Sequence, residues 1–198
     1  DNPADFERQL SPRTKAIFIE SIANPGGVIV DIEAIAKVAK KANVPLIVDN
    51  TMATPYLCKP FDYGADIIVH SATKFLGGHG NSIGGLLVDG GKFNFAGDDR
   101  YPFLSKPRPE YNGMVLGETF GNFGFAIAAR VLGLRDLGPA LAPFNAFMLL
   151  TGIETLPLRM QRHCENALAV ARHLSKHPAI SWVSYPGLEN DKYHALAK

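Results

Sequence analysis

An amine, a carboxylate and two hydroxyls follow short apolar runs of this sequence, at points where strands of a parallel sheet would end. The apolar runs cover residues 46–48 and 67–69. The polar side chains that follow them are those of Asp49, Ser71, Thr73 and Lys74. Because ligands bind beyond the carboxyl ends of the strands in an open parallel sheet, we expect these four side chains to converge at one edge.

Pyridoxal 5′-phosphate (PLP) is a cofactor that needs this set of groups. Its aldehyde forms a Schiff base with a lysine amine, and its pyridine nitrogen stays protonated beside a carboxylate. Its phosphate needs short donors such as hydroxyls and backbone N–H groups. Ser71 and Thr73 come just before Lys74, so one short segment can hold both the phosphate and the aldehyde. The sequence therefore predicts a PLP site with Lys74 as the catalytic residue and Asp49 beside the ring nitrogen.

The first half of the chain has the alternating pattern of an α/β protein, which must position these groups. Asp31 is a suitable N-cap, and Glu33 in the following turn suits the dipole of an amphipathic helix. Parallel strands are predicted over residues 15–20, 46–48 and 67–69, with a further candidate at 86–88. We therefore expect an α/β fold with a mostly parallel mixed sheet.

The second half is predicted to be largely helical. Residues 93–113 lack periodicity and are rich in proline and aromatic residues, which indicates a long ordered loop of a kind that is often functional. Helices are predicted over residues 125–134, 144–153 and 156–174. The uncharged stretch 137–153 is interrupted by prolines and is short for a membrane span, so we interpret it as a buried helix. The alternation over 180–185 predicts a strand that begins a new unit.

Two longer segments resemble a known enzyme family. Residues 49–55 (DNTMATP) and 70–80 (HSATKFLGGHG) are similar to the Cys/Met-metabolism family of PLP-dependent enzymes, which has the aspartate-aminotransferase (type I) fold. The resemblance runs from Thr14 to Gly187. It implies that residues 1–174 belong to the PLP-binding large domain and that residues 175–198 begin a small C-terminal α+β domain. Because family members are longer, we expect the chain to be an internal part of a larger enzyme.

Matching positions carry implied roles. Lys74 resembles the Schiff-base lysine, and Asp49 resembles the partner of the pyridinium nitrogen. Ser71 and Thr73 resemble the phosphate-binding hydroxyls. Two residues are implied near the cofactor ring: Asn24 and Thr51. From the residues alone, the Asn-Thr dipeptide at 50–51 can equally serve to shape a turn.

The sequence after the lysine is similar to the sulfhydrylase branch of the family. The similarity lies in residues 78–85 (GHGNSIGG) and in the loop 93–113. The implied reaction is γ-replacement on O-acetyl-L-homoserine by sulfide or a thiol, giving homocysteine or methionine and acetate. Cystathionine γ-synthase and methionine γ-lyase are alternatives within the family. A catalytically silent piece of the same fold is an alternative of another class.

The composition of the chain indicates which classes of partner and which cellular compartment to expect. With 20 Lys+Arg against 19 Asp+Glu, the formal net charge of +1 argues against a nucleic-acid binder. Two cysteines, Cys58 and Cys164, suit a reducing compartment, and the acidic N-terminus does not resemble a signal peptide. We therefore expect a cytoplasmic protein without membrane contact, and the family implies a homotetramer built from active dimers that acts on small molecules. His70 and His79 match no zinc-ligand spacing, so no metal is expected.

Overall fold

The computed structural model describes residues 2–198 and arranges them around a mixed sheet. Within those residues the sheet has four strands in the order β1-β2-β3-β4: Ile17–Glu20, Leu46–Asp49, Ile67–Ser71 and Gly85–Asp89. Strands β1, β2 and β3 are parallel, whereas β4 runs antiparallel to β3. The predicted α/β class with a mostly parallel mixed sheet is confirmed.

The register of the parallel strands brings their carboxyl ends level with each other. Glu20 at the end of β1 lies opposite Asp49 at the end of β2, and Asp49 lies opposite Val69 of β3. Ser71 then ends β3 two residues further along. The residues that follow the three strands therefore emerge at one edge, as the sequence predicts.

Helices α1 (Pro3–Gln9) and α2 (Ile32–Lys41) lie on one face of the sheet, and α3 (Thr54–Leu57) is a single turn after β2. The predicted N-cap is confirmed, because the Asp31 side chain accepts a hydrogen bond from the Ala34 N–H at 2.9 Å. The core on this face joins α2 to the three parallel strands through buried aliphatic side chains: Ile17, Ile19, Ile32, Ile35, Ala39, Leu46, Val48 and Ile68.

The other face of the sheet is covered by the chain that follows β4. Here lie α4 (Pro102–Ser105), α5 (Leu116–Phe120) and α6 (Gly124–Ala128). Because successive side chains of a strand point to opposite faces, Ile67 enters this core while Ile68 enters the other. The ring of Phe95 stacks on Phe125 with centroids 5.3 Å apart. The loop 93–113 is thus a packing element that includes α4 and a 3₁₀ turn at Pro109–Tyr111.

Two long helices complete the second half. Helix α6 continues as a π-helical segment, Ala129–Leu137, and is followed by α7 (Pro143–Glu154) and α8 (Leu156–Leu174). The three helices predicted from periodicity are therefore confirmed, with α8 ending at the predicted residue. No helix within residues 2–198 combines the length and the apolar character that a membrane span needs.

The prediction that residues 137–153 form a buried helix was wrong. Helix α7 begins only at Pro143, and Phe144 and Phe147 are 69% and 64% exposed. Leu149 and Gly152 are its only buried residues. Helix α7 is apolar around most of its circumference, but within the described chain only one side meets another element.

The strand predicted at 180–185 was also wrong. Outside the sheet, the bridges within residues 2–198 are two isolated pairs, Ile22 with Ile29 and Arg108 with Met114. A strand needs a neighbour to satisfy its backbone groups, and none lies beside residues 180–185. Trp182 in this segment is 79% exposed.

Candidate active site

A pocket of about 670 Å³ opens at the carboxyl ends of β1, β2 and β3. All six residues singled out from the sequence line it: Asn24, Asp49, Thr51, Ser71, Thr73 and Lys74. Residues separated by as many as 50 positions thus share one cavity, because parallel strands end together. No residue of the loop 93–113 is among those lining the pocket, so the expectation of a functional loop finds no support in its position.

Lys74 leaves β3 on a π-helical turn, Ala72–Leu76. Its φ of −87° and ψ of −124° depart from helical values, so the backbone bends at the lysine itself. The Lys74 carbonyl accepts a hydrogen bond from the Gly78 N–H at 2.8 Å. Its amine makes no hydrogen bond or ion pair within residues 2–198. The backbone is therefore held while the amine stays available to a ligand.

Asp49 and Thr51 join the ends of β2 and β3. Oδ1 of Asp49 accepts the Thr51 N–H at 2.9 Å, and Oγ1 of Thr51 accepts the Ser71 N–H at 2.7 Å. Oδ2 of Asp49 makes no hydrogen bond within residues 2–198 and can accept one from a ligand. Thr51 fits both interpretations of its sequence position, because it lines the pocket and also shapes the turn.

The two hydroxyls before the lysine, those of Ser71 and Thr73, differ in whether they already make hydrogen bonds. Oγ of Ser71 has no partner within the described residues. Oγ1 of Thr73 accepts the Gly84 N–H at 3.0 Å and donates to the Gly84 carbonyl at 3.3 Å. Since a hydroxyl has one proton, Thr73 can donate to an anion only by leaving the Gly84 carbonyl. Ser71 is therefore the freer donor of the pair.

Asn24 lies on the loop after β1, where its N–H donates to Oε2 of Glu20 at 2.8 Å. Glu20 lines the pocket as well, although the sequence assigned it no role. The Asn24 side chain is exposed at the rim of the site. The carboxylate of Glu20 thus holds the rim loop against the end of β1.

Helix α8 contributes two lining residues that sequence reasoning missed, Arg159 and His163. The ring of His163 meets that of Phe75 edge-on, with centroids 5.5 Å apart. Arg159 donates to backbone carbonyls of the segment that follows Lys74. Arg159 and His163 follow Lys74 by more than 80 residues, so no local spacing in the sequence links them to the lysine. The sequence feature that could have pointed to them is the clear amphipathic pattern of residues 156–174, which has an arginine in its first turn.

Titratable groups near the pocket do not offer a competing nucleophile. Burial raises the pKa of the Cys58 thiol, as does the nearby charge of Asp62, and burial also raises the pKa of Cys164. Both cysteines are free, and a raised pKa keeps them as unreactive thiols. Burial lowers the pKa of His70, opposed by a hydrogen bond to the backbone of Asn50 and by the charge of Asp49. His70 is therefore a neutral packing side chain.

The donor set fits PLP. A free amine, a carboxylate with an unused oxygen, and a free hydroxyl at the turn before the lysine all face one cavity. These are the groups that the aldehyde, the ring nitrogen and the phosphate require. Residues 2–198 hold no group of three or more His, Cys, Asp or Glu side chains placed to bind a metal ion.

Comparison with known proteins also points to PLP. The family model for Cys/Met metabolism PLP-dependent enzymes matches residues 1–198. The chain is 52% identical, over its whole length, to O-acetyl-L-homoserine sulfhydrylase of Leptospira meyeri and to homocysteine synthase of Schizosaccharomyces pombe. It covers 46% and 47% of those two proteins. The chain thus spans about half the length of the curated relatives it matches.

A solved structure shows the same fold. A crystal structure from Campylobacter jejuni subsp. jejuni, assigned to an O-acetylhomoserine (thiol)-lyase, matches 99% of this chain with a TM-score of 0.94 and 43% identity. The match covers 48% of that protein, which contains N′-pyridoxyl-lysine-5′-monophosphate. Since the family model matches every residue of the sequence, the chain belongs to the Cys/Met metabolism PLP-dependent enzymes.

Proposed function

We propose that the protein carrying this chain is a PLP-dependent O-acetyl-L-homoserine sulfhydrylase. The reaction breaks the bond between Cγ and the acetate oxygen of O-acetyl-L-homoserine and forms a bond from Cγ to the sulfur of sulfide or a thiol. The products are acetate and homocysteine, or methionine when the thiol is methanethiol. The observation that carries the proposal is the free amine of Lys74 in the same pocket as the unused Oδ2 of Asp49. The names of the relatives support the choice of substrate.

Each lining residue has a defined task in this proposal. When bound, PLP supplies an electron sink for negative charge at the substrate carbons. The Lys74 amine holds the cofactor and carries the proton removed from the substrate Cα. Oδ2 of Asp49 accepts a hydrogen bond from the ring N–H and keeps that nitrogen protonated. Ser71 donates to the phosphate, as does Thr73 once its hydroxyl turns from Gly84. Asn24 and Thr51 flank the ring, as the family resemblance implies, and their place in the lining of the pocket supports this.

The test locates the cofactor chemically. The purified protein is incubated with PLP, reduced with borohydride and digested, and the modified peptide is identified by mass spectrometry. We expect the label on Lys74. Lys74→Ala should lose both the label and the γ-replacement activity, whereas Lys40→Ala, at an exposed position of α2 outside the pocket, should keep both. A label on another lysine, or none, contradicts the proposal.

Substrate assays separate the proposed reaction from its relatives. A sulfhydrylase forms homocysteine from O-acetyl-L-homoserine and sulfide. A cystathionine γ-synthase requires cysteine and forms cystathionine, and a methionine γ-lyase releases methanethiol from methionine. Cysteine-dependent or methionine-dependent turnover that exceeds the sulfide-dependent rate would replace the proposed substrate while leaving the PLP site intact.

The proposal extends to assembly and location. Apolar side chains are exposed on β4 and on α7, among them Leu86, Leu87, Phe144 and Phe147. Such exposed apolar surface is typical of association faces. We propose a homotetramer built from active dimers in the cytoplasm, where the free thiols of both cysteines persist. Residues 1–174 form part of the large domain and 175–198 begin the small one, a division supported by the end of α8 at Leu174. Native mass spectrometry should give four subunits.

A further inference from the structure

The guanidinium of Arg159 lies in the wall of the pocket and has no carboxylate partner within residues 2–198. It donates instead to backbone carbonyls on two segments. Nη1 donates to the carbonyl of Phe75 at 2.8 Å, and Nη2 donates to those of Gly152 at 2.8 Å and Leu76 at 3.3 Å. Nε donates to Oγ1 of Thr155 at 3.1 Å. One side chain therefore bridges the Lys74 turn and the junction of α7 with α8.

The carbonyls that accept these bonds belong to the last turns of two helical segments. Phe75 and Leu76 end the π-helical turn that carries Lys74, and Gly152 lies in the last turn of α7. Such carbonyls lack intrahelical donors and carry partial negative charge, so a cation is favourable there. The planar guanidinium, with five donors in a fixed fork, can serve both segments at once, whereas a lysine ammonium lacks this geometry.

Glycines allow this close approach. Gly78 has a φ of +72°, and a Cβ added there would lie 2.6 Å from Cζ of Arg159. A Cβ added at Gly152 would overlap the Gly77 carbonyl and lie 2.7 Å from its carbon atom. The guanidinium thus rests directly on the backbone that follows Lys74, with no side chain between them.

We propose that Arg159 is a positioning residue that fixes the turn at Lys74 and so sets the direction in which the lysine amine enters the pocket. The lysine backbone bends away from helical geometry, and the guanidinium anchors the carbonyls of the two residues that follow it. The inference rests on the proposed function, because the amine needs a set direction only if PLP is joined to it.

The first test needs no cofactor. The amides of Gly77 and Gly78 donate within the turn, to Ala72 at 2.9 Å and to Lys74 at 2.8 Å, so their hydrogen exchange reports its integrity. In Arg159→Ala we expect exchange at these amides to be at least roughly 10-fold faster. Arg162→Ala is the matched control and should leave exchange unchanged, since that exposed side chain pairs with Glu165 on the same helix. Addition of guanidinium ion at about 50 mM, far below unfolding concentrations, should restore protection, and ammonium should not.

The second test measures retention of PLP after rapid dilution, together with the visible circular dichroism of the bound cofactor. Arg159→Ala should release PLP roughly 10- to 100-fold faster, by analogy with the loss of metal affinity when a residue that orients a metal ligand is removed. Its dichroism should be weaker, because the cofactor is less firmly oriented. Guanidinium ion should restore both signals. Arg159→Lys should release PLP faster than the parent, because a point charge cannot replace the fork.

The outcomes are separable. A parent protein that takes up no PLP overturns the proposed function and, with it, the positioning role. If the parent retains PLP and Arg159→Ala retains it equally well, or if guanidinium restores neither exchange nor retention, only the positioning role is overturned. If Arg159→Ala is recovered unfolded, the comparison rests on Arg159→Lys: release at the parent's rate contradicts the role, and faster release supports it.

Discussion

Replacing Gly78 with alanine tests how closely the Lys74 turn and Arg159 are packed. Gly78 has a positive φ of +72°, and the added Cβ would lie 2.6 Å from both Cζ and Nη1 of Arg159. Gly80 provides a matched control, because its φ of +66° is similar and nothing lies within 4 Å of an added Cβ. The two substitutions share the backbone penalty and differ only in the collision with the guanidinium.

The expected losses follow from these contacts. An L-residue in the left-handed region costs about 1–2 kcal/mol, which applies to Gly78→Ala and Gly80→Ala alike. At Gly78 the guanidinium must also move away, which gives up bonds to Phe75 and Gly152, both 2.8 Å long. Charged hydrogen bonds of this kind contribute about 1.5–3 kcal/mol each, and water recovers part of the loss because the side chain is only partly buried. We therefore expect Gly78→Ala to cost about 2 kcal/mol more than Gly80→Ala.

Equilibrium urea unfolding of the apoprotein gives the free energies, and thermal unfolding gives an independent reading. For a chain of this size, 2 kcal/mol corresponds to a difference in Tm of about 4–8 °C. In an Arg159→Ala background the collision is absent, so Gly78→Ala should cost no more than Gly80→Ala. The cost of Gly78→Ala in the parent, minus its cost in that background, gives the coupling free energy between the two residues, which we expect to be about 2 kcal/mol. Equal losses for the two glycines in the parent protein, or an unchanged cost of Gly78→Ala in the Arg159→Ala background, would refute the reasoning.

Three further predictions follow from buried or paired groups. Thr51→Val leaves the Ser71 N–H without its acceptor, which lies 2.7 Å away. It should lower the free energy of unfolding, measured in urea, by about 1–3 kcal/mol. Thr51→Ser keeps the acceptor, so equal losses in the two variants would contradict this prediction. Burial lowers the pKa of His70, so the unfolded state binds the proton more readily. The free energy of unfolding should therefore be highest above about pH 6.5 and should decrease as the pH falls below that value. If His70→Gln shows the same pH dependence of unfolding as the parent, another group is responsible. Burial, and then Asp62, raise the pKa of Cys58. Its alkylation by iodoacetamide at about pH 7.5 should be slower than that of free cysteine and faster in Asp62→Asn than in the parent, whereas a rate matching free cysteine would disprove the shift.

Local sequence carried the information for the four strands of the sheet and for the N-cap of α2. The N-cap at Asp31 was predictable because a capping side chain acts on the backbone three residues away. The convergence of Asp49 with Lys74 was predictable because parallel strands end at a common edge, whatever the details of packing. The chemistry expected of the pocket thus came from residue types and their positions after strands.

Long-range packing was not predictable in the same way. Helix α7 was expected to be buried because it is apolar, yet the exposure of Phe144 depends on which neighbours are within reach. Residues 180–185 alternate as a strand does, but without a neighbouring strand there is no ladder to complete. Periodicity describes the preference of one segment, whereas burial and pairing require a second.

The sequence by itself determined the fold class, the family and six of the residues that line the pocket, because each depends on short-range pattern or on the common ends of parallel strands. Only the tertiary structure decided that Thr73 is engaged with Gly84 while Ser71 is free, and that Arg159 holds the Lys74 turn. The physical reason is that hydrogen bonds between backbone carbonyls and a distant guanidinium leave no periodic trace. They arise when glycine backbones allow two helical segments to meet, and that meeting exists only in the folded chain.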